Sequence, residues 1–281
     1  RLDSDVVGDL AELVADRRDR QPVPEPGAVL PVVQDFDDAL AVLGDGRPDL
    51  IVSGWEETAT VGERTIRLYL ATGDARGGFT YQGPIATIAT GQAMALNASI
   101  ALADTTGDRL LDIAVVDSNA ARLRTLIGDG RGGFTPSGLT LPLVFRAGQP
   151  VGTVVAHDLN ADDRSDLVVL AGATMSVLLA NPLSAGGFLP ATAYSTTEDL
   201  FADIGITDVE QDGVPDVIAS TIRFQPSGSE SAARLYRGLG RGVFDPDSVP
   251  LAFGLQPRVL RRQADLNGDG YPDLIATSGF G

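Results

Sequence analysis

The stretch Asp265-Leu266-Asn267-Gly268-Asp269-Gly270-Tyr271-Pro272-Asp273-Leu274-Ile275-Ala276 sets the reading frame of the whole chain. It puts oxygen-bearing side chains at positions 1, 3, 5 and 9 of a short loop and then runs straight into an apolar segment. The frame recurs upstream. Asp158, Asn160, Asp162 and Asp166 precede the apolar run 167–170, Asp208, Glu210, Asp212 and Asp216 precede 217–219, and Asp104, Thr106, Asp108 and Asp112 precede 113–116. A fifth copy, Asp35, Asp37, Asp45 and Asp49, carries six extra residues, 38–43, between its second and third acids.

A second signature keeps time with the first. Gly77-Gly78-Phe79, Gly132-Gly133-Phe134, Gly186-Gly187-Phe188 and Gly242-Val243-Phe244 each follow a β-rich stretch, at 67–71, 123–127, 176–180 and 234–237. Glycine supplies the positive φ of a tight hairpin turn. The acidic loops start near 35, 104, 158, 208 and 265, between 50 and 69 residues apart, which suits one four-stranded blade per repeat. Each repeat therefore reads as strand, acidic loop, buried strand, variable loop, strand, Gly-Gly-Phe hairpin, strand. Because successive strands are antiparallel, the acidic loops and the Gly-Gly-Phe hairpins fall at one end of the blade and the other turns at the opposite end.

The acidic loop and the Gly-Gly-Phe turn together resemble the FG-GAP (VCBS-type) repeats of integrin α-subunit propellers, bacterial surface proteins and some fungal lectins, over about residues 28–281. The resemblance implies an all-β propeller, here one domain spanning 1–281. Segment 1–27 is either a closing strand segment or a degenerate sixth repeat, since Arg1-Leu2-Asp3-Ser4-Asp5 and Asp9 also fit the loop frame. The spacing across the termini matches the internal ones, so about five blades are expected, with part of a six- or seven-bladed ring as the alternative.

Alternate side chains at positions 1, 3 and 5 of a tight loop point inward together, a position-7 carbonyl joins them, and Asp at 9 returns from the next strand. Hard oxygen donors select Ca²⁺ over Mg²⁺, which demands a smaller, strict octahedron. Four or five Ca²⁺ ions are expected, held by the twenty residues named in the five loops. Occupancy should rank the Asp265 loop first, then Asp158 and Asp208, then Asp104 with its neutral Thr106, and last the interrupted Asp35 loop. An EF-hand is excluded, because that frame needs Glu at position 12, where Ala276 stands. Turn chemistry alone explains Asp, Asn and Gly in any one copy. It does not ask for a carboxylate at position 9, at the mouth of an apolar strand, where an unpaired charge is costly.

Composition agrees. With 38 acidic against 21 basic residues the formal charge is -17, so nucleic acid and anionic membrane surfaces are repelled and a cation is the natural counterpart. There is no cysteine, which removes disulfides and thiolate chemistry. No run reaches the length of a membrane span and no signal-peptide layout opens the chain, so a mature form or an excised domain is expected.

Two function classes remain open. The first is a non-enzymatic, calcium-binding interaction or adhesion domain, extracellular or on a cell surface, recognising a protein or carbohydrate ligand. Its contact residues would lie on long loops opposite the metal end, 54–64 and 224–232, with Trp55, Glu56, Arg64 and Phe224 as the contacts. The second is a polysaccharide-active lyase or hydrolase using a pair among Glu56, Glu57, Glu63 and Glu198. The single histidine, His157, precedes the ligand Asp158 and reads as a strand-end residue. No nucleophile elbow, phosphate loop or HExxH stretch is present.

Overall fold

The computed structural model describes residues 42–47, 49–57, 63–74, 78–92, 99–117, 121–143, 152–196, 199–225, 228–251, 257–264, 267 and 273–278. Among these, every regular element is a β-strand. The chain forms two compact units, one of Arg1–Asn97 with Asp129–Phe134, the other of Ala98–Gly128 with Thr135–Gly281.

In the first unit, β1 (Leu50–Glu57), β2 (Glu63–Gly73) and β3 (Phe79–Gln92) make an antiparallel meander in sequence order. The second unit repeats that meander with four strands. β4 (Ser99–Ala103), β5 (Asp112–Asp117), β6 (Arg122–Gly128) and β7 (Phe134–Pro142) form one sheet. β8 (Gly152–His157), β9 (Asp166–Ala171), β10 (Thr174–Leu178) and β11 (Thr192–Ser195) form the next. A third holds β12 (Leu200–Thr207), β13 (Asp216–Gln225), β14 (Gly228–Tyr236) and β15 (Val249–Leu251), and β16 (Pro257–Ala264) pairs with β17 (Asp273–Ser278). The first strands of successive sheets in this unit lie side by side, β4 by β8, β8 by β12 and β12 by β16. That radial stacking of sequential meanders is the blade arrangement of a β-propeller.

The second strand of each blade is the reason the sequence shows apolar runs rather than alternation. All six residues of β5 and all six of β9 are buried, because a sheet covered on both faces has no polar side. Leu167 and Val169 pack against Ala114, Val116 and Leu123 of the preceding sheet. Their neighbours Val168 and Leu170 pack with Phe201, Ile204, Val217 and Ala219 of the following one. One strand thus serves two cores, and period 2 decides which residue serves which. The outer strands β7 and β11 are mostly exposed, as edges are.

Two segments read from sequence as long loops are strands instead. β1 and β2 pair up to Glu57 and Arg64, with Trp55 opposite Ile66 and Glu56 opposite Thr65. β13 and β14 pair up to Gln225 and Gly228, with Phe224 opposite Ser229. Trp55, Glu56, Arg64 and Phe224 therefore stand on extended two-stranded ribbons, each strand supplying the other's backbone partners. Variation between repeats lies in ribbon length, and repeat comparison alone does not distinguish a lengthened hairpin from a lengthened loop.

Candidate functional site

The acidic loops 104–112, 158–166, 208–216 and 265–273 join the first and second strands of their blades. Position 9 opens the second strand opposite the last residue of the first: Asp112 faces Ala103, Asp166 faces His157, Asp216 faces Thr207 and Asp273 faces Ala264. Asp35, Asp37, Asp265 and Asp269 lie outside the described residues, as does Glu198, and Asn267 is exposed.

Position 9 is a clamp. One oxygen of Asp166 accepts the amide of Leu159 at 3.0 Å and the other accepts the amide of Ala180 at 2.7 Å. Asp112 takes Thr105 N and Gly128 N, both at 3.0 Å, and also the Thr105 hydroxyl at 2.6 Å. Asp216 takes Val209 N at 2.8 Å and Gly238 N at 2.7 Å, and Asp49 takes Leu43 N at 3.0 Å and Gly73 N at 3.1 Å. In all four, one donor is an amide from the stretch before position 9 and the other lies at the end of the third strand or two residues past it. This corrects the sequence argument that a buried charge at position 9 calls for a metal: the carboxylate is buried and satisfied by chain amides. The sequence shows the recurring carboxylate at position 9, but nothing in residue type alone shows which amides it meets.

Position 1 gathers its own loop. Asp158 accepts the amides of Asn160, Ala161 and Asp162 on one oxygen and of Asp163 on the other, and Asp104 does the same with Gly107, Asp108 and Arg109. Asp208 accepts Asp212 N and Gly213 N. Position 5 makes a tight turn onto position 7: Asp45 with Arg47, Asp108 with Leu110, Asp162 with Arg164 and Asp212 with Val214.

Electrostatics mark these loops as strained for charge. Burial pushes Asp166 up to about 6, against the two amide bonds that pull it down, and the charges of Asp162 and Asp158 push it further up. Asp112 is raised mainly by burial, with Asp108 adding to it. Glu210 is raised by its hydrogen bond with Asp216, while Arg237, 2.8 Å away, opposes the shift.

The loops also tie blades together within the second unit. Ser165 donates its amide to the Asp104 carbonyl at 2.8 Å and its hydroxyl oxygen accepts the Asp104 amide at 3.2 Å. Arg164 donates to the Thr106 carbonyl and occupies the space left open by the absent side chain of Gly107. The Gly-Gly-Phe turns bind backward in the same way: Gly242 N donates to Leu159 O at 2.9 Å, and Gly186 O accepts the Thr125 hydroxyl at 3.0 Å. Gly186 and Gly242 have φ of 64° and 71°, and a Cβ on either would lie 2.5 Å from Ile127 or Leu179. Phe244 is buried against Tyr194, whose hydroxyl accepts its amide at 2.8 Å.

The implied calcium can be tested against these donors. In the loop 158–166 every side chain at a ligand position offers oxygen, and Asn160 Oδ1 is buried without a hydrogen-bond partner while its Nδ2 donates to Asp162 at 3.2 Å. An orphaned inward oxygen beside mutually repelling carboxylates is what a hard cation satisfies. Among the described residues no three acidic or histidine side chains converge on one point, because the carboxylates are turned to loop amides. The donor chemistry fits, and the side chains of Asp158 and Asp162 would share their oxygens between amides and ion.

His157 closes β8 and is exposed. A cleft of about 140 Å³ in the second unit is lined by Leu123, Leu141, Phe188, Asn181 and Ser184 among others, with no charged residue in its wall.

Residues 42–115 and 104–169 match the family model of the FG-GAP-like repeat, so this part of the chain consists of FG-GAP-type repeats. Among solved structures, the chain is similar to a lectin from Agrocybe aegerita that recognises non-reducing terminal N-acetylglucosamine, at 19% identity and a TM-score of 0.44, over 80% of this chain and 60% of that one. It is also similar to a fructofuranosidase from Schwanniomyces occidentalis complexed with fructose, at 10% identity and a TM-score of 0.44, over 82% of this chain and 58% of that one. An E230A form of that enzyme with fructosylnystose matches at 12% identity and a TM-score of 0.43, over 79% and 48%. The chain thus spans less than two thirds of each of these proteins. No curated protein matches it.

Proposed function

We propose that the protein is a non-enzymatic, calcium-braced interaction domain that works outside the cell or at its surface and adheres to a protein or carbohydrate partner. The observation that carries the calcium part is Asn160 Oδ1, a buried oxygen with no partner inside an all-oxygen loop whose acids repel one another. Asp158, Asn160 and Asp162 would hold the ion there, with Asp166 beneath them, and Asp104, Thr106 and Asp108 would do so in the preceding blade. Bound calcium supplies positive charge that relieves this repulsion and fixes the loop. The chain's own part is to keep the loop closed through the position-1 and position-9 hydrogen bonds.

Partner contact is assigned to the β1–β2 and β13–β14 ribbons, where Trp55, Glu56, Arg64 and Phe224 lie. The corresponding strands in the other two blades are shorter, 6 and 7 residues for β5 and β6 and 6 and 5 for β9 and β10, against 8 and 11 for β1 and β2 and 10 and 9 for β13 and β14, so ribbon length is what differs between the repeats. The hydrolase alternative has less to start from among the described residues. The carboxyls whose pKa is raised, Asp112, Asp166 and Glu210, all belong to the repeated loops, and no acid lines the cleft. A glycan array and a protein-binding screen, each run with calcium and with chelator, test the reading. Binding of a partner without turnover is the expected result, and cleavage of a polysaccharide by the purified chain would overturn it.

A further inference from the structure

The loop 208–216 departs from its counterparts at one pair of positions. The residue that follows the loop amide bound by the clamp is Gly44, Thr106 or Asn160 in the other described repeats, and the residue that precedes the strand amide is Thr72, Ile127 or Leu179. Here the two are Glu210 and Arg237, and Arg237 Nε sits 2.8 Å from Glu210 Oε1. The ion pair straddles Asp216, whose oxygens accept the amides of the adjacent residues Val209 and Gly238. An extra acid and an extra cation have entered the blade together. Counted with Arg237, the four ligand positions of this loop carry the same formal charge as those of 104–112 and 158–166.

We propose, on the calcium reading above, that Arg237 is a built-in counter-cation beside Glu210 and Asp216 and sets the calcium affinity of loop 208–216 below that of loop 158–166. Position 3 of loop 158–166 offers an unengaged oxygen, whereas position 3 here is already engaged by a guanidinium and by Asp216. The guanidinium also repels a divalent ion placed among Asp208, Asp212 and Asp216. The pair is partly exposed, at 56% for Arg237 and 38% for Glu210, so solvent screens the effect to about one order of magnitude in affinity. The sequence alone places the Asp208 loop beside the Asp158 loop in the occupancy order, and the ion pair sets it lower.

Calcium titration of the full chain by calorimetry tests this with wild type, Arg237→Gln, Arg237→Gln/Asp208→Asn and Glu210→Gln, each checked for a cooperative melt. In Arg237→Gln one class of sites should tighten about tenfold, and adding Asp208→Asn should remove that class. Glu210→Gln should leave every class of sites in place, because Glu210 is engaged by Arg237 and Asp216 and does not ligate the ion. Calcium binding that Arg237→Gln leaves unchanged, or a class of sites lost in Glu210→Gln, overturns the role of Arg237 and leaves the calcium reading standing. Absence of calcium binding in all four proteins overturns the calcium reading itself. Should Arg237→Gln fail to melt cooperatively, the Glu210→Gln arm decides alone.

Discussion

The Asp129 carboxylate occupies the space that a side chain at Gly133 would need. Its Oδ1 accepts the Gly133 amide at 2.9 Å, and a Cβ added at Gly133 would lie 2.4 Å from its Oδ2. Asp74 and Gly78 repeat the arrangement, with the amide bond at 2.8 Å and the Cβ clash also at 2.8 Å. The fourth repeat has Leu239 in place of the aspartate, and there the second glycine is Val243. In these two repeats the middle glycine of Gly-Gly-Phe is thus set by the aspartate four positions before it and not by φ; in the third, where Leu183 stands at that position, a Cβ at Gly187 would instead lie 2.6 Å from Ser184 Oγ.

Gly133→Val should therefore destabilise the protein by about 1–2 kcal/mol, as overpacking does. Asp129→Leu/Gly133→Val, which copies the fourth repeat, should recover most of that loss. Denaturant midpoints of the two singles and the double measure it, and additive effects would refute the pairing.

Removing the clamp at position 9 should cost more than removing any exposed loop acid. Asp166→Ala leaves the Leu159 and Ala180 amides without acceptors in a buried site, a loss of about 2–5 kcal/mol. Asp163→Asn, on the exposed side of the same loop, should change stability by less than about 0.5 kcal/mol. Equal unfolding midpoints for the two variants would show that the clamp contributes nothing.

Asp166 should titrate near 6 in the folded, chelator-treated protein. The folded state then holds a proton that the unfolded chain has already released above about 4. Stability from this group falls as pH rises between those values and is flat above them. A carboxyl-carbon NMR titration reads the folded midpoint directly. A midpoint near the ordinary carboxylate value would mean that its two amide bonds outweigh burial.

Replacing Trp55 and Phe224 together by Ala should weaken partner binding at least tenfold if they act as anchor residues, while calcium uptake persists. Binding unaffected in the double variant, or a partner that coordinates the bound calcium directly, would place the contact surface at the acidic-loop end instead.

The repeat frame, the blade order and the hairpin positions were legible because each rests on local chemistry: the acid spacing, the positive-φ glycines at 186 and 242, and the fully apolar second strands. The clamp was only half legible. The sequence shows a carboxylate at position 9 and the cost of burying it, but the amides that satisfy Asp166 belong to residues 7 positions before and 14 positions after it, and a backbone amide has no sequence signature. The ribbons at Trp55 and Phe224 read as loops from the sequence for a related reason, since strand pairing across 57–64 and 225–228 is a backbone event that polar and aromatic side chains neither announce nor forbid. The Arg237–Glu210 pair is not legible in the sequence, because it joins a loop to the residue just past the third strand.

The clamp also bears on how the chain reaches its fold. The donors to Asp49, Asp112, Asp166 and Asp216 all lie within 24 residues of their acceptor, and none comes from another blade. A blade can therefore reach its closed hydrogen-bonding pattern before any neighbour has arrived, with loop-closure entropy kept small. For an all-β chain, a class in which distant pairings usually make assembly slow, this is a low-contact-order route. Blades emerging one after another from synthesis can each close first and dock second, through contacts such as Ser165 on Asp104 and Gly242 on Leu159.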